Sequence, residues 1–87
     1  MTTKEYSDYV QLRSKPYTDE NYCIIALNGE AGEVAEWYKK YLKGELGDVL
    51  YYLTRLASLN GWTLEDIMEG NKAKLDERVA KNMRMIS

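Results

Sequence analysis

Leu27-Asn28-Gly29-Glu30-Ala31-Gly32-Glu33-Val34-Ala35-Glu36 places apolar residues at Leu27, Ala31, Val34 and Ala35. Steps of three and four mark one face of an α-helix. Reading outward, Ile24 and Tyr38 extend the same face, so a second helix is expected from about Asp19. A third runs from about Leu42 to Leu59 on Leu42, Leu46, Val49, Leu50, Leu53, Leu56 and Ala57, and Asn60-Gly61 stops it. Upstream, Thr3 is expected to cap a first helix through about Arg13, with Tyr6, Tyr9, Val10 and Leu12 as its apolar positions and Pro16 just beyond its end. Downstream, the Thr63 hydroxyl can accept from the amide of Asp66 and start a fourth helix carrying Ile67, Leu75 and Val79. No segment alternates with period two. The expectation is an all-α protein of four helices.

The same stretch holds an oddity. Gly29-Glu30-Ala31-Gly32-Glu33 is echoed by Gly44-Glu45-Leu46-Gly47-Asp48, so four of the six glycines fall inside these two helical stretches. A helical glycine costs about 1 kcal/mol relative to alanine, and its compensation is that another backbone or a bulky ligand can come close. Residues three apart share a helical face, so Glu30 repels Glu33 and Glu45 repels Asp48. A solvated acidic face normally carries Lys or Arg three or four positions away. None of the four acids has one, whereas Glu36 has Lys39 and Lys40 at that range and reads as an ordinary surface pair. A hard divalent cation would supply the missing charge, because magnesium takes oxygen ligands and keeps waters and phosphates in its shell. The other reading of the spacing is that the acids are solvated, or pair across helices with Arg55, Lys74 or Arg78.

Composition narrows the classes. Eighty-seven residues make one domain at most, and a chain this short buries only about 60% of its unfolded surface. Self-association is a common remedy at that size, and a third helix with Tyr51, Tyr52 and Leu56 offers more apolar surface than a thin bundle covers. Twelve basic against 14 acidic residues argue against a nucleic-acid binder that relies on bulk positive charge. The single Cys23, in the apolar run Cys23-Ile24-Ile25-Ala26-Leu27, reads as a buried small hydrophobe in a reducing, cytoplasmic setting. The N-terminus lacks the apolar core of a signal peptide, and no run approaches the roughly 18 apolar residues of a membrane span.

The acidic segments and their surroundings, Leu27 to Glu36 followed by Glu45-Leu46-Gly47-Asp48-Val49-Leu50-Tyr51-Tyr52-Leu53, resemble the MazG-type all-α nucleotide pyrophosphohydrolases, whose signature is ExxE followed by ExxD. The likeness runs from about Tyr22 to Arg78. It implies Glu30, Glu33, Glu45 and Asp48 as catalytic ligands of magnesium, with manganese as a substitute. It implies hydrolysis of a nucleoside or deoxynucleoside triphosphate to monophosphate and pyrophosphate. Asn71-Lys72-Ala73-Lys74-Leu75-Asp76-Glu77-Arg78 is similar to the family's N-x-x-K-L-x-x-R segment, so the resemblance assigns Asn71, Lys74 and Arg78 to the triphosphate. It also implies a homodimer or homotetramer, while length points to a single domain over residues 1–87 and charge and hydropathy point to no nucleic-acid or membrane partner. Trp37 and Tyr41 could stack on a base, although aromatics at helical spacing are more often packing. A non-catalytic helical module that binds nucleotide or protein through its acidic face is the competing reading.

Two departures from the family pattern carry expectations. Only eleven residues separate Glu33 from Glu45. If the second helix ran to Tyr41, Glu33 would stand about 12 Å from the bend and Glu45 almost on it, so the pairs could not face each other. Either the second helix ends soon after Glu36, or a connecting loop is absent between about Lys39 and Lys43; the second is the expectation. The glycine-rich segment that usually follows the arginine is also absent after Met83-Arg84-Met85-Ile86-Ser87, so part of the substrate pocket is expected to be missing.

Overall fold

The computed structural model describes residues 1–36 and 41–86, the side chains of 85 and 86 excepted. Four helices follow in order: α1 (Thr3–Arg13), α2 (Glu20–Glu36), α3 (Leu42–Leu59) and α4 (Leu64–Ile86). Among the described residues there is no strand.

Each start has a local cause. Thr2, not Thr3, caps α1: its hydroxyl accepts from the Glu5 amide at 3.0 Å, and the Glu5 carboxylate accepts from the Thr2 amide at 2.9 Å. Counting from Thr2 puts a glutamate at the third helical position, where it closes this reciprocal box; counting from Thr3 puts Tyr6 there, which cannot. Asp19 opens α2 by accepting from the Tyr22 amide at 2.9 Å. Thr63 and Asp66 bond each other's amides at 3.0 and 2.9 Å at the head of α4. The turn before it needs Gly61, whose φ of 78° is one that side chains rarely adopt.

The hairpin of α2 and α3 is the structural centre, with α1 laid against α3. Among the described residues Val10, Cys23 and Ala57 are the buried apolar ones, joined by Thr18 and Thr54. Cys23 is thus the small core residue its sequence setting suggests. A line of tyrosines fastens the elements: Tyr17 to Tyr22 (5.4 Å between ring centres), Tyr22 to Tyr52 (6.1 Å) and Tyr52 to Tyr51 (5.4 Å). The Tyr51 hydroxyl then meets Ser14 Oγ at 3.0 Å. Tyr51, Tyr52 and Leu56 are therefore half-buried rather than bare. Exposed large apolar side chains occur on all four helices, among them Leu12 on α1, Ile24 and Ile25 on α2, Leu42, Leu46 and Leu50 on α3, and Leu75 and Val79 on α4.

Beyond its first turns α4 leaves the rest of the chain. It touches α1 and α3 but not α2, and every residue from 65 to 84 is exposed. No helix is long and apolar enough to cross a membrane among the described residues.

Candidate metal and phosphate site

The antiparallel run of α2 and α3 sets the register of the acids. Glu33 stands three residues before the described end of α2 at Glu36, and Glu45 three residues after the start of α3 at Leu42. At 1.5 Å per residue both lie about 4.5 Å from the ends facing the connection. Glu30 and Asp48 are each six residues in, about 9 Å. The acids of α2 and those of α3 meet across the two helices. One carboxylate oxygen from each of Glu30, Glu45 and Asp48 lies within 4.8 Å of the others. Glu33 stands close enough for its charge to act on both Glu30 and Glu45. The expected absent loop falls partly on residues 37–40, outside the described residues. From Tyr41 onward the chain enters α3 directly, the Glu45 amide donating to the Tyr41 carbonyl at 3.0 Å.

The electrostatics of this cluster are unfavourable as it stands. Burial pushes the Glu30 carboxyl above the usual carboxylate range, and the charges of Glu33, Asp48 and Glu45 push it further. Glu45 is raised by burial first, then by its contact with Glu33 and the charges of Asp48 and Glu36. Oε2 of Glu30 and Oε2 of Glu45 are buried without a hydrogen-bond partner. An orphaned carboxylate oxygen is costly, more so than a neutral polar atom.

No cation of the chain relieves this among the described residues. The ion pairs are Lys4–Asp8 and Lys72–Asp76, both exposed and four apart on one helix. Arg55, a candidate cross-helix partner for the acids, is engaged elsewhere: Nε donates to the Thr18 carbonyl at 3.1 Å and Nη1 to Gln11 Oε1 at 2.6 Å. What the site lacks is a small positive charge that accepts oxygen donors from two helices. A magnesium-like dication fits that donor set.

The glycines around the acids leave space. Apart from its own helix's backbone, nothing among the described residues lies within 4 Å of a β-carbon built on Gly29, Gly32, Gly44 or Gly47. The close approach of a second backbone within the chain, one reading of these residues, is therefore not found.

Two neighbours of the cluster escaped the sequence reading. Glu36, read as a partner of Lys39 and Lys40, bears on Glu45; those lysines, like Trp37, lie outside the described residues. Tyr52, one helical turn beyond Asp48, is pushed up to about 12 by burial, the neighbouring Tyr22 hydroxyl and the charge of Glu30. It is thus a neutral hydrogen-bond donor beside a cluster of anions. Its spacing of four from Asp48 was the available signal.

Asn71, Lys74 and Arg78 share a face of α4, as their spacing requires, and all three are exposed. No hydrogen bond or ion pair joins them to the acids. Asn71 and Lys74 instead border an open groove of about 540 Å³ with Trp62, Asp66, Ile67, Met68 and Gly70. Within one chain, the acidic and basic halves of the expected site stand apart.

Comparison with known proteins agrees with the pattern of acids. Residues 19–83 match the model of the MazG nucleotide pyrophosphohydrolase domain. No curated protein and no solved structure gives a match. The matched span covers most of the chain and takes in the helical hairpin with all four acids, together with Asn71, Lys74 and Arg78. With two acid-bearing helices closing on one another in that span, the chain belongs to the MazG nucleotide pyrophosphohydrolase family.

Proposed function

We propose that the chain is a single magnesium-dependent domain that hydrolyses nucleoside or deoxynucleoside triphosphates to the monophosphate and pyrophosphate. The observation that carries this reading is the convergence of Glu30, Glu45 and Asp48 oxygens within 4.8 Å, two carboxylates having an orphaned buried oxygen. Glu30, Glu33, Glu45 and Asp48 hold the dication; manganese can replace magnesium because both take oxygen ligands. When bound, the metal neutralises phosphate charge and makes a coordinated water more acidic.

The remaining work falls to side chains. One of the site's glutamates would orient and deprotonate the water attacking the α-phosphorus. Tyr52 offers a hydrogen bond without adding a charge that would compete for the carboxylates. Asn71, Lys74 and Arg78 bind the triphosphate, Arg78 through its planar fork and Lys74 as a point charge. The chain works as a homo-oligomer.

A panel of triphosphates with magnesium, scored for pyrophosphate, tests the reading. Glu45→Ala is expected to lower pyrophosphate release by roughly 100-fold or more, the scale of losing one transition-state stabilising group. Absence of pyrophosphate from every triphosphate with the intact chain would refute the proposal.

A further inference from the structure

Arg55 makes no ion pair among the described residues; neutral oxygens hold it from two directions. Its Nε donates to the Thr18 carbonyl at 3.1 Å and its Nη1 to Gln11 Oε1 at 2.6 Å. Gln11 is oriented for this, because its own Nε2 donates to the Ser7 carbonyl at 3.3 Å. Thr18 is fixed as well. Its side chain is buried, and its amide closes the Pro16-Tyr17 turn on the Lys15 carbonyl at 2.9 Å. Thr18 directly precedes Asp19, the residue that opens α2. Among the described residues α1 and α2 do not pack on each other. One guanidinium on α3 therefore ties the body of α1 and the entry to α2 to a single point. A planar fork can serve two acceptors in different directions, which a lysine ammonium on its mobile stem does poorly.

The clamp stands at one end of a polar seam. Across α2 and α3 the partners run in step: Glu33 with Glu45, Glu30 with Asp48, the Tyr22 ring with the Tyr52 ring, and the Thr18 carbonyl with Arg55. Glu45, Asp48, Tyr52 and Arg55 follow at steps of three and four, so they share one face of α3. A seam between two helices is ordinarily apolar. Here it holds two acids, a phenol and a guanidinium. The buried residue of α2, Cys23, lies near the clamp, its sulfur 4.0 Å from the Thr18 carbonyl. The acid end has no such anchor. Glu30 and Glu45 keep orphaned buried oxygens there, and like charges push the helices apart. Without a cation, the hairpin is fastened at Arg55 and repelled at Glu30.

We infer that Arg55 is a positioning residue of the metal site: by clamping Thr18 and Gln11 it holds α2 and α3 in the register that sets Glu30 and Glu33 against Glu45 and Asp48 before a cation arrives. The magnesium half rests on the pyrophosphohydrolase reading; the clamp rests on the contacts of Arg55 alone. A site assembled in advance binds more tightly than one whose ligands must first be gathered. In a chain without the clamp, part of the cation's binding energy goes into closing the hairpin against its own repulsion.

Calorimetric titration of magnesium into metal-free Arg55→Met and Arg55→Lys chains tests this, at a temperature where melts in chelator show each variant folded. Methionine keeps an apolar stem and removes the fork, so affinity should fall roughly 10-fold, the scale of losing a group that orients metal ligands. Lysine keeps the charge without the two-way bond, so it should weaken binding too. The sign is decisive. If Arg55 acted only through its charge it would repel the dication, and Arg55→Met would bind magnesium more tightly. If it served only to hold the fold together, the melting temperature would drop while the affinity of the folded chain stayed the same. Either result overturns the inference. Where Arg55→Met does not fold, Arg55→Lys carries the test, and wild-type affinity in that chain overturns it. A wild-type chain that takes up no magnesium refutes the metal reading instead. The clamp is then judged in chelator by hydrogen exchange. Arg55→Met should speed exchange at the amides of Tyr22 and Cys23 while the middle of α3 keeps its protection. An equal change along both helices overturns the clamp.

Discussion

Glu30 and Glu45 are the residues on which the site turns, because folding raises both carboxyls without giving them a cation of the chain. A group whose folded pKa is raised contributes stability below its unfolded pKa and loses it as pH rises through the folded value. The metal-free protein should therefore melt higher at pH 5 than at pH 7 on account of this cluster. Glu45→Gln should raise the metal-free melting temperature at pH 7 and flatten its dependence on pH, because it removes one charge from a repelling set. The same substitution should abolish stabilisation by magnesium. Thermal melts with chelator and with magnesium, at both pH values, check all three. A Glu45→Gln chain that melts lower than wild type in chelator would mean that the acids are not in conflict. Tyr52 belongs to the same scale. Tyr52→Phe keeps the ring cluster and removes the donor, so it should preserve the fold and weaken turnover rather than metal affinity.

At the scale of elements, the packing of α2 against α3 is what brings Glu30 to Glu45 and Asp48. Caps define three of the helix starts, and each is worth about 1 kcal/mol. Thr63→Ala should lower stability by that amount, read from denaturant midpoints. The glycines distinguish an empty groove from a working one. Alanine at Gly47 meets no atom within 4 Å, so Gly47→Ala should gain up to about 1 kcal/mol in helix propensity. If that open space admits a bulky ligand, the stabilised protein should turn over more slowly. A variant both more stable and fully active would show that nothing enters there.

At the scale of the whole molecule, Val10, Cys23 and Ala57 are the buried apolar side chains among the described residues, and each large apolar side chain left exposed forgoes about 1.5–3 kcal/mol of burial in a marginal total. A homo-oligomer would bury more of them. Stability should accordingly depend on protein concentration, with the melting temperature rising as the chain is concentrated. Magnesium at 100 times its dissociation constant should add about 2.7 kcal/mol, which at about 4–8 °C per kcal/mol for a domain this small is readily visible. A melting temperature indifferent to both would contradict the oligomer and the metal site together.

Amino-acid order alone determined the four helices, because periodicity and caps act within a few residues. Thr2 was missed by one position, since only the partner three residues on distinguishes it from Thr3. The acids were identifiable as a set because local sequence offers them no cation. Their meeting was implied by a shared cation and by the resemblance, but the apolar pattern, which runs on unbroken toward Tyr41, does not by itself fix the register of the two helices. The roles of Arg55 and Tyr52 were equally hidden: whether a side chain reaches Gln11, Thr18 or Glu30 depends on distances between elements, which spacing along one helix does not contain. Tertiary structure decided those, and it decided that α4 stands apart, because a helix keeps its amphipathic pattern whether its partner belongs to its own chain or to another.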